Sequence, residues 1–193
     1  MENSTYFGLN SFPILKTERL ILRELSMEDG PDIFEMQSNP IMCEHNDTLP
    51  ETQLEGSLKY IEKMVSGFRD EKWISWGIEL ASTGKVIGTI CIWNFSEDKG
   101  EAELGYGLTP DYHGKGFMGD ALNAVANFCF HALEMRMLDA YTEENNAPSI
   151  ALLKRAGFEH VGMVTDQGFF TDRNYNMKIF RLFRDHMLNS TVE

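Results

Sequence analysis

The amino-acid sequence predicts one mixed α+β domain, a twisted and mostly antiparallel mixed sheet of about seven strands flanked by about four helices. Three observations carry this expectation. Strand-like apolar runs in the middle of the chain follow one another through short turn-rich loops, and such loops join antiparallel neighbours. One strand is followed instead by a helix and then another strand, the order of a parallel crossover. The 193 residues are 42% hydrophobic and contain no Pro/Gly/Ser-rich linker, so they are expected to build one core rather than two.

Arg19-Leu-Ile-Leu-Arg-Glu-Leu25 has the branched apolar character of a first strand. Ser26 then offers an N-cap, with Asp29 where a capping box places its acidic or amide partner. The helix that follows carries Ile33, Phe34 and Met36 and should stop before Pro40. A second helix is read from Leu54 to Phe68, where Leu54, Leu58, Ile61 and Val65 form a core-facing stripe. Trp73 to Leu80 and Val86 to Trp93 form a hairpin, and Asp98-Lys-Gly100 turns the chain into the strand Glu101 to Leu108. Ala121, Leu122, Val125, Phe128 and Cys129 keep helical period. Met137 to Thr142 is the next strand, parallel to the one before that helix. Pro148 opens a helix from Ser149 to Arg155 that ends at Gly157, and strands at about His160 to Val164 and Tyr175 to Phe183 complete the sheet. The sequence shows no internal repeat.

The composition narrows the function. A net charge of −13 repels nucleic-acid phosphates, and its even spread along the chain reads as ordinary solubility. No apolar run approaches the roughly 18 residues of a membrane span, and Met-Glu-Asn-Ser-Thr at the start lacks the features of a signal peptide. The expectation is a soluble, cytoplasmic protein with no nucleic-acid or membrane partner. Cys43, Cys91 and Cys129 are scattered, and His45, His131, His160 and His186 lack metal-ligand spacing with one another or with cysteine, so neither disulfide framework nor metal site is expected.

The most informative segment runs from Leu104 to Ala121, where a strand meets a glycine-punctuated turn and a helix begins at once. Gly114, Gly116 and Gly119 let the main chain turn tightly, and a helix start directs unpaired N–H groups and its positive dipole end at the same spot. Such a turn cradles a phosphate or pyrophosphate through backbone. It is no P-loop, because Asp120 follows Gly119 where Lys would stand. Gly114 to Gly119 fits Gly-x-Gly-x-x-Gly, but that fingerprint belongs to the first strand of a parallel βαβ unit, so a dinucleotide site is the minor alternative.

Four segments then agree with one family: Leu15-Lys-Thr-Glu-Arg-Leu-Ile-Leu-Arg23, Glu103-Leu-Gly-Tyr106, Tyr112-His-Gly-Lys-Gly-Phe-Met-Gly119, and Asn145-Asn-Ala-Pro-Ser149 through Ala156-Gly-Phe158. Their order resembles the GNAT superfamily, and within it the RimJ/RimL-like branch of acetyl-CoA-dependent N-acetyltransferases. The resemblance implies the GNAT fold, with acetyl-CoA as co-substrate wedged where two central parallel strands splay apart. It implies that Tyr106, Gly107 and Leu108 pair with the pantetheine arm and that His113, Gly114, Lys115, Gly116, Phe117, Met118 and Gly119 hold the pyrophosphate. It matches Asn145 to a residue that bonds the cofactor arm and Ser149 to one near the thioester sulfur. Two positions depart from the pattern. His113 stands where many members have Arg or Gln and this branch has Trp, and Met118 stands where Ala or Gly is usual, so its side chain must point away from the phosphates.

Acetyl transfer to an amine needs a deprotonated nucleophile, oxyanion stabilisation and a proton for the departing thiolate. Glu103, beside the implied thioester, is the candidate base, and Glu101 on the same strand face is the reserve. Ser149 is the candidate hydrogen-bond donor to the departing sulfur, although a serine at a helix start is also an ordinary cap. Trp73, Trp76, Trp93, Phe95, Phe169 and Phe170 would line an acceptor cleft or simply pack in the core. The expected activity is transfer to a protein N-terminus or small amine, with a homodimer possible; the alternative is a non-catalytic acyl-CoA-binding module on the same fold.

Overall fold

The computed structural model describes residues 7–45, 47–168 and 170–189. Eight strands form one sheet: β1 (Leu15–Lys16), β2 (Leu20–Arg23), β3 (Trp73–Leu80), β4 (Val86–Trp93), β5 (Glu101–Leu108), β6 (Met137–Glu143), β7 (Glu159–Gln167) and β8 (Asn174–Phe183). Their spatial order is β1-β2-β3-β4-β5-β6-β8-β7. Every pair is antiparallel except β5 and β6. This is the mixed, mostly antiparallel sheet expected, and it leaves no room for the doubly wound parallel sheet of a dinucleotide fold.

Five helices accompany the sheet: α1 (Gly30–Gln37), α2 (Leu54–Arg69), α3 (Phe117–His131), α4 (Ala147–Arg155) and α5 (Arg184–Asn189). α1 begins as its sequence dictates. The Ser26 main-chain N–H donates to Asp29 Oδ2 at 2.7 Å, and Asp29 N–H donates to the Ser26 carbonyl at 3.0 Å. α1 ends at Gln37, ahead of Pro40.

Three elements differ from the expectation. The first strand is Leu20–Arg23 rather than residues 19–25, because Leu25 leaves the ladder to pack with Ile33, Met36, Ile61 and Val86 beneath α1 and α2. The two-residue β1 is too short to show a period. In α2, Ile61 is buried, but Leu54 at the first turn is 42% exposed, so the stripe meets the core through its middle.

Side chains alternate across β5, which decides what each face of the sheet does. Ala102, Leu104 and Leu108 face a core built with Leu122, Val125 and Phe130 of α3 and Leu138 of β6. Glu101, Glu103, Gly105 and Gly107 face the other way, toward the side that α1 and α2 cover. The β5–β6 ladder runs only from Glu101/Met137 to Leu104/Ala140. Beyond it β5 continues through 105–108 on β4, and β6 continues through 141–143 on β8. Two parallel neighbours therefore part in the middle of the sheet, and backbone that would have paired across them opens onto a gap.

Candidate active site

A cleft of about 810 Å³ occupies this gap. It is lined by β5 residues 106–108, by turn and helix residues 113, 114 and 116–119, by α4, and on the opposite face of the sheet by Ile41, Met42, Glu44 and His45 from the α1–α2 connection. Gly107 lets the two sides meet, since a Cβ there would lie 3.1 Å from Met42 Cε. The opening thus reaches both faces of the sheet.

The glycine turn has a definite geometry. Gly116 caps α3 with φ at +82°, a left-handed conformation that costs glycine little and other residues more. The first intrahelical bond runs from Asp120 N–H to the Gly116 carbonyl at 3.1 Å. The main-chain N–H groups of residues 116–119 have no hydrogen-bond partner among the described residues. Unpaired donors at a helix start, bordering an open cleft, suit an anion such as a diphosphate. Met118 lies 7% exposed in the core, so its side chain leaves this backbone clear.

Arg19 fastens the turn from outside. Its Nη1 donates to the Lys115 carbonyl at 2.9 Å, its Nε donates to Asp120 Oδ2 at 2.9 Å, and its guanidinium lies 4.6 Å over the Phe117 ring. His113 fastens the turn to β5. Its Nε2 lies 2.7 Å from the Leu108 carbonyl, and because a carbonyl only accepts, Nε2 carries the proton.

Tyr106 and Ser149 meet on the α3–α4 side, with Tyr106 Oη 2.9 Å from Ser149 Oγ. Asn146, not Ser149, caps α4: its Oδ1 accepts from the Ser149 N–H at 3.1 Å, which leaves the serine hydroxyl for side-chain chemistry. Burial pushes the Tyr106 phenol up to about 12, while the bond to Ser149 acts in the other direction. The phenol therefore stays protonated at neutral pH and can donate.

Other expected residues lie apart. Glu103 borders a separate hollow with Tyr141, Val164, Asp166 and Ile179, where it accepts from Asn94 Nδ2 at 2.6 Å. Glu101 pairs with Arg136 at 3.4 Å. Lys115 is outside the cleft lining, donating through Nζ to the Asp111 carbonyl at 2.8 Å, and Asn145 is outside it too, one residue from Asn146. None of the tryptophans lines the cleft: Trp76 is fully buried and Trp73 donates to the Met64 carbonyl at 3.0 Å. Phe95 packs on Phe7, Phe170 is 62% exposed, and Phe169 lies outside the described residues.

The sequence reading missed Arg19 as a clamp, and it missed the α1–α2 connection altogether. His45 finds a carboxylate far along the chain, a partner that metal-ligand spacing does not show. Among the described residues no group of three or more metal-ligating side chains occurs, and no helix is long and apolar enough to cross a membrane.

Known proteins resemble this chain in sequence and fold. An N-acetyltransferase of Bacillus subtilis named YoaA, itself uncharacterized, is 27% identical over 173 residues, covering 90% of this chain and 98% of its own. The spermidine N-acetyltransferase of Vibrio cholerae, solved with CoA and spermine, superposes with a TM-score of 0.76 at 20% identity, covering 90% of this chain and all (100%) of that one. The Salmonella typhimurium acetyltransferase that modifies the N-terminal serine of ribosomal protein L7/L12 gives 0.78 at 16% identity, covering 89% and 99%. The pattern of the acetyltransferase (GNAT) domain family matches residues 19–159, across the splay, the glycine turn and α4, and the chain belongs to that family of acyltransferases.

Proposed function

We propose that the protein transfers an acetyl group from acetyl-CoA to a primary amine, by direct attack while both are bound. One observation carries the reading: the unpaired N–H groups of residues 116–119 and the Tyr106–Ser149 hydroxyl pair border the same cleft, at the place where β5 and β6 part. Acetyl-CoA supplies the acyl group as a thioester. In this proposal the turn from His113 to Gly119, Lys115 included, holds the diphosphate, with the main-chain N–H groups of residues 116–119 as its donors, while the β5 edge at Tyr106, Gly107 and Leu108 offers backbone to the pantetheine amides. Asn145, two residues past the end of β6, is proposed to bond the same arm.

Ser149 is the proposed proton donor to the departing sulfur. Its hydroxyl is released from capping by Asn146, and Tyr106, still a phenol at neutral pH, replaces the proton it gives. Glu103, the base proposed from sequence, lies outside the cleft lining, so its action on the amine would run through water. The acceptor is proposed to be a peptide N-terminus or a small amine. The ribosomal-protein and spermidine enzymes among the structural neighbours support that range.

The test follows free thiol release from acetyl-CoA against a panel of N-terminally free peptides and linear polyamines, in the unchanged protein and in Glu103→Gln. Acceptor-dependent release supports transfer. Tight CoA binding with no such release would make the protein a binding module, and binding of NAD in place of CoA would remove the cofactor reading.

A further inference from the structure

We infer that His45, oriented by the buried carboxylate of Glu143, is the general base that takes the proton from the acceptor's ammonium group. The inference rests on the acetyl-transfer reading above and deepens it.

Glu143 is the last residue of β6, beyond the point where β6 leaves β5, and it is 3% exposed. A carboxylate so buried persists only when paired and hydrogen-bonded. Both oxygens are engaged: Arg173 donates to Oε1, and His45 Nδ1 lies 2.6 Å from Oε2. A carboxylate accepts, so Nδ1 carries the hydrogen and the lone pair of the neutral imidazole sits on Nε2. Nε2 has no partner among the described residues, and His45 borders the same cleft as Tyr106 and Ser149. A ring nitrogen held in one tautomer by a buried acid, with the other nitrogen unpartnered on a residue that borders an open cleft, has the geometry of a base and its orienting group.

The dyad is also held rigidly. Arg173 reaches the Glu44 carbonyl at 3.3 Å, and Asp47 accepts from Thr171 N–H at 2.9 Å and Thr171 Oγ at 2.8 Å, so the α1–α2 connection is tied to the β7–β8 turn. The charged and titratable groups on the segments that meet at the imidazole are Cys43, Glu44 and Asp47 on its own segment and Glu143 and Glu144 at the end of β6. Arg173, Tyr175 and Lys178 stand on the β8 side, Tyr106 on β5 and Arg155 on α4.

The proton balance closes. One ammonium proton passes to His45 Nε2, and the nitrogen lone pair forms the new C–N bond at the acetyl carbon. The C–S bond breaks with its electron pair on sulfur, and sulfur takes its proton from Ser149. The second nitrogen proton restores the hydroxyl pair through solvent, and His45 returns its proton to water.

The experiment compares kcat and KM of the unchanged protein, His45→Gln, Glu143→Gln and Glu103→Gln from mildly acidic to alkaline pH, with CoA affinity measured by calorimetry. For His45→Gln, kcat is expected to fall about 100-fold at neutral pH with CoA affinity kept, and the deficit to shrink at alkaline pH, where the amine arrives deprotonated. Free imidazole is expected to restore part of the rate of His45→Ala. Nitrogen-15 NMR of the unchanged protein is expected to show the Nδ1–H tautomer at His45, and the Nε2–H tautomer would overturn the assignment without any turnover measurement. An unaltered rate and pH profile in His45→Gln, or a loss confined to Glu103→Gln, overturns this inference while leaving acetyl transfer intact. CoA binding without transfer by the unchanged protein to any acceptor overturns both.

Discussion

Tyr106 Oη and Ser149 Oγ stand 2.9 Å apart, joining the open end of β5 to the first turn of α4. The pair bridges elements whose backbones need not otherwise meet, and it places a protonated phenol behind a hydroxyl at the cleft. Ser149→Ala and Tyr106→Phe are each expected to lower kcat at least about tenfold with little change in CoA affinity. Because burial holds the phenol protonated up to about 12, the Tyr106→Phe deficit should be the same across neutral pH. Steady-state kinetics at several pH values check both, and a deficit confined to KM would remove the proton-donor role.

Arg19 should govern the glycine turn. Arg19→Ala removes two hydrogen bonds and a ring contact from outside the cradle, and the exposed ion pair with Asp120 contributes only about 0–1 kcal/mol to stability. The expected outcome is CoA binding weakened about tenfold with a melting temperature shifted by a few degrees at most. Calorimetric titration beside thermal melts separates the two effects.

Asp29 ties stability to pH. Burial alone would raise its pKa, but two hydrogen bonds from Arg23, both at 2.8 Å, together with the Ser26 N–H hold the carboxyl below its ordinary range. A carboxyl whose folded pKa is depressed contributes stability above its unfolded value, about 3.9, and that contribution disappears as pH falls through the folded value. Asp29→Asn is therefore expected to lower stability by about 2 kcal/mol at neutral pH, a difference that shrinks in acid. Urea titrations at neutral and acidic pH provide the comparison, and a gap that widens in acid would contradict the assignment.

The three cysteines should react unequally. Cys129 is fully buried, and burial pushes its thiol upward; burial also pushes Cys91 up to about 12. Cys43, in the α1–α2 connection, and Cys91, on β4, are both half-buried, with the thiol of Cys91 raised by burial. Native protein is expected to give one rapid equivalent with a thiol reagent, at Cys43, and the other two only in denaturant. Rapid labelling at Cys91 would show that its raised thiol does not protect it.

Much of this protein is written locally in its chain. The β3–β4 hairpin, the β5 strand, the body of α2 and the glycine start of α3 lie close to where apolar period and turn residues place them, because those signals act through each residue's own dihedrals and immediate neighbours. The Ser26–Asp29 cap is of the same kind. What period cannot express is where a ladder stops. The parting of β5 and β6 after Leu104 and Ala140 opens the cleft, and it sets Glu103 in a separate hollow while residues 106–108 border the opening. His45 and Glu143 are 98 residues apart, Tyr106 and Ser149 are 43, and Arg19 and Asp120 are 101. No short window contains either member's partner. The chain by itself thus determined the elements and the glycine turn, while only the packed sheet decided which of the distant side chains face one another, since those contacts depend on the path of the whole backbone between them.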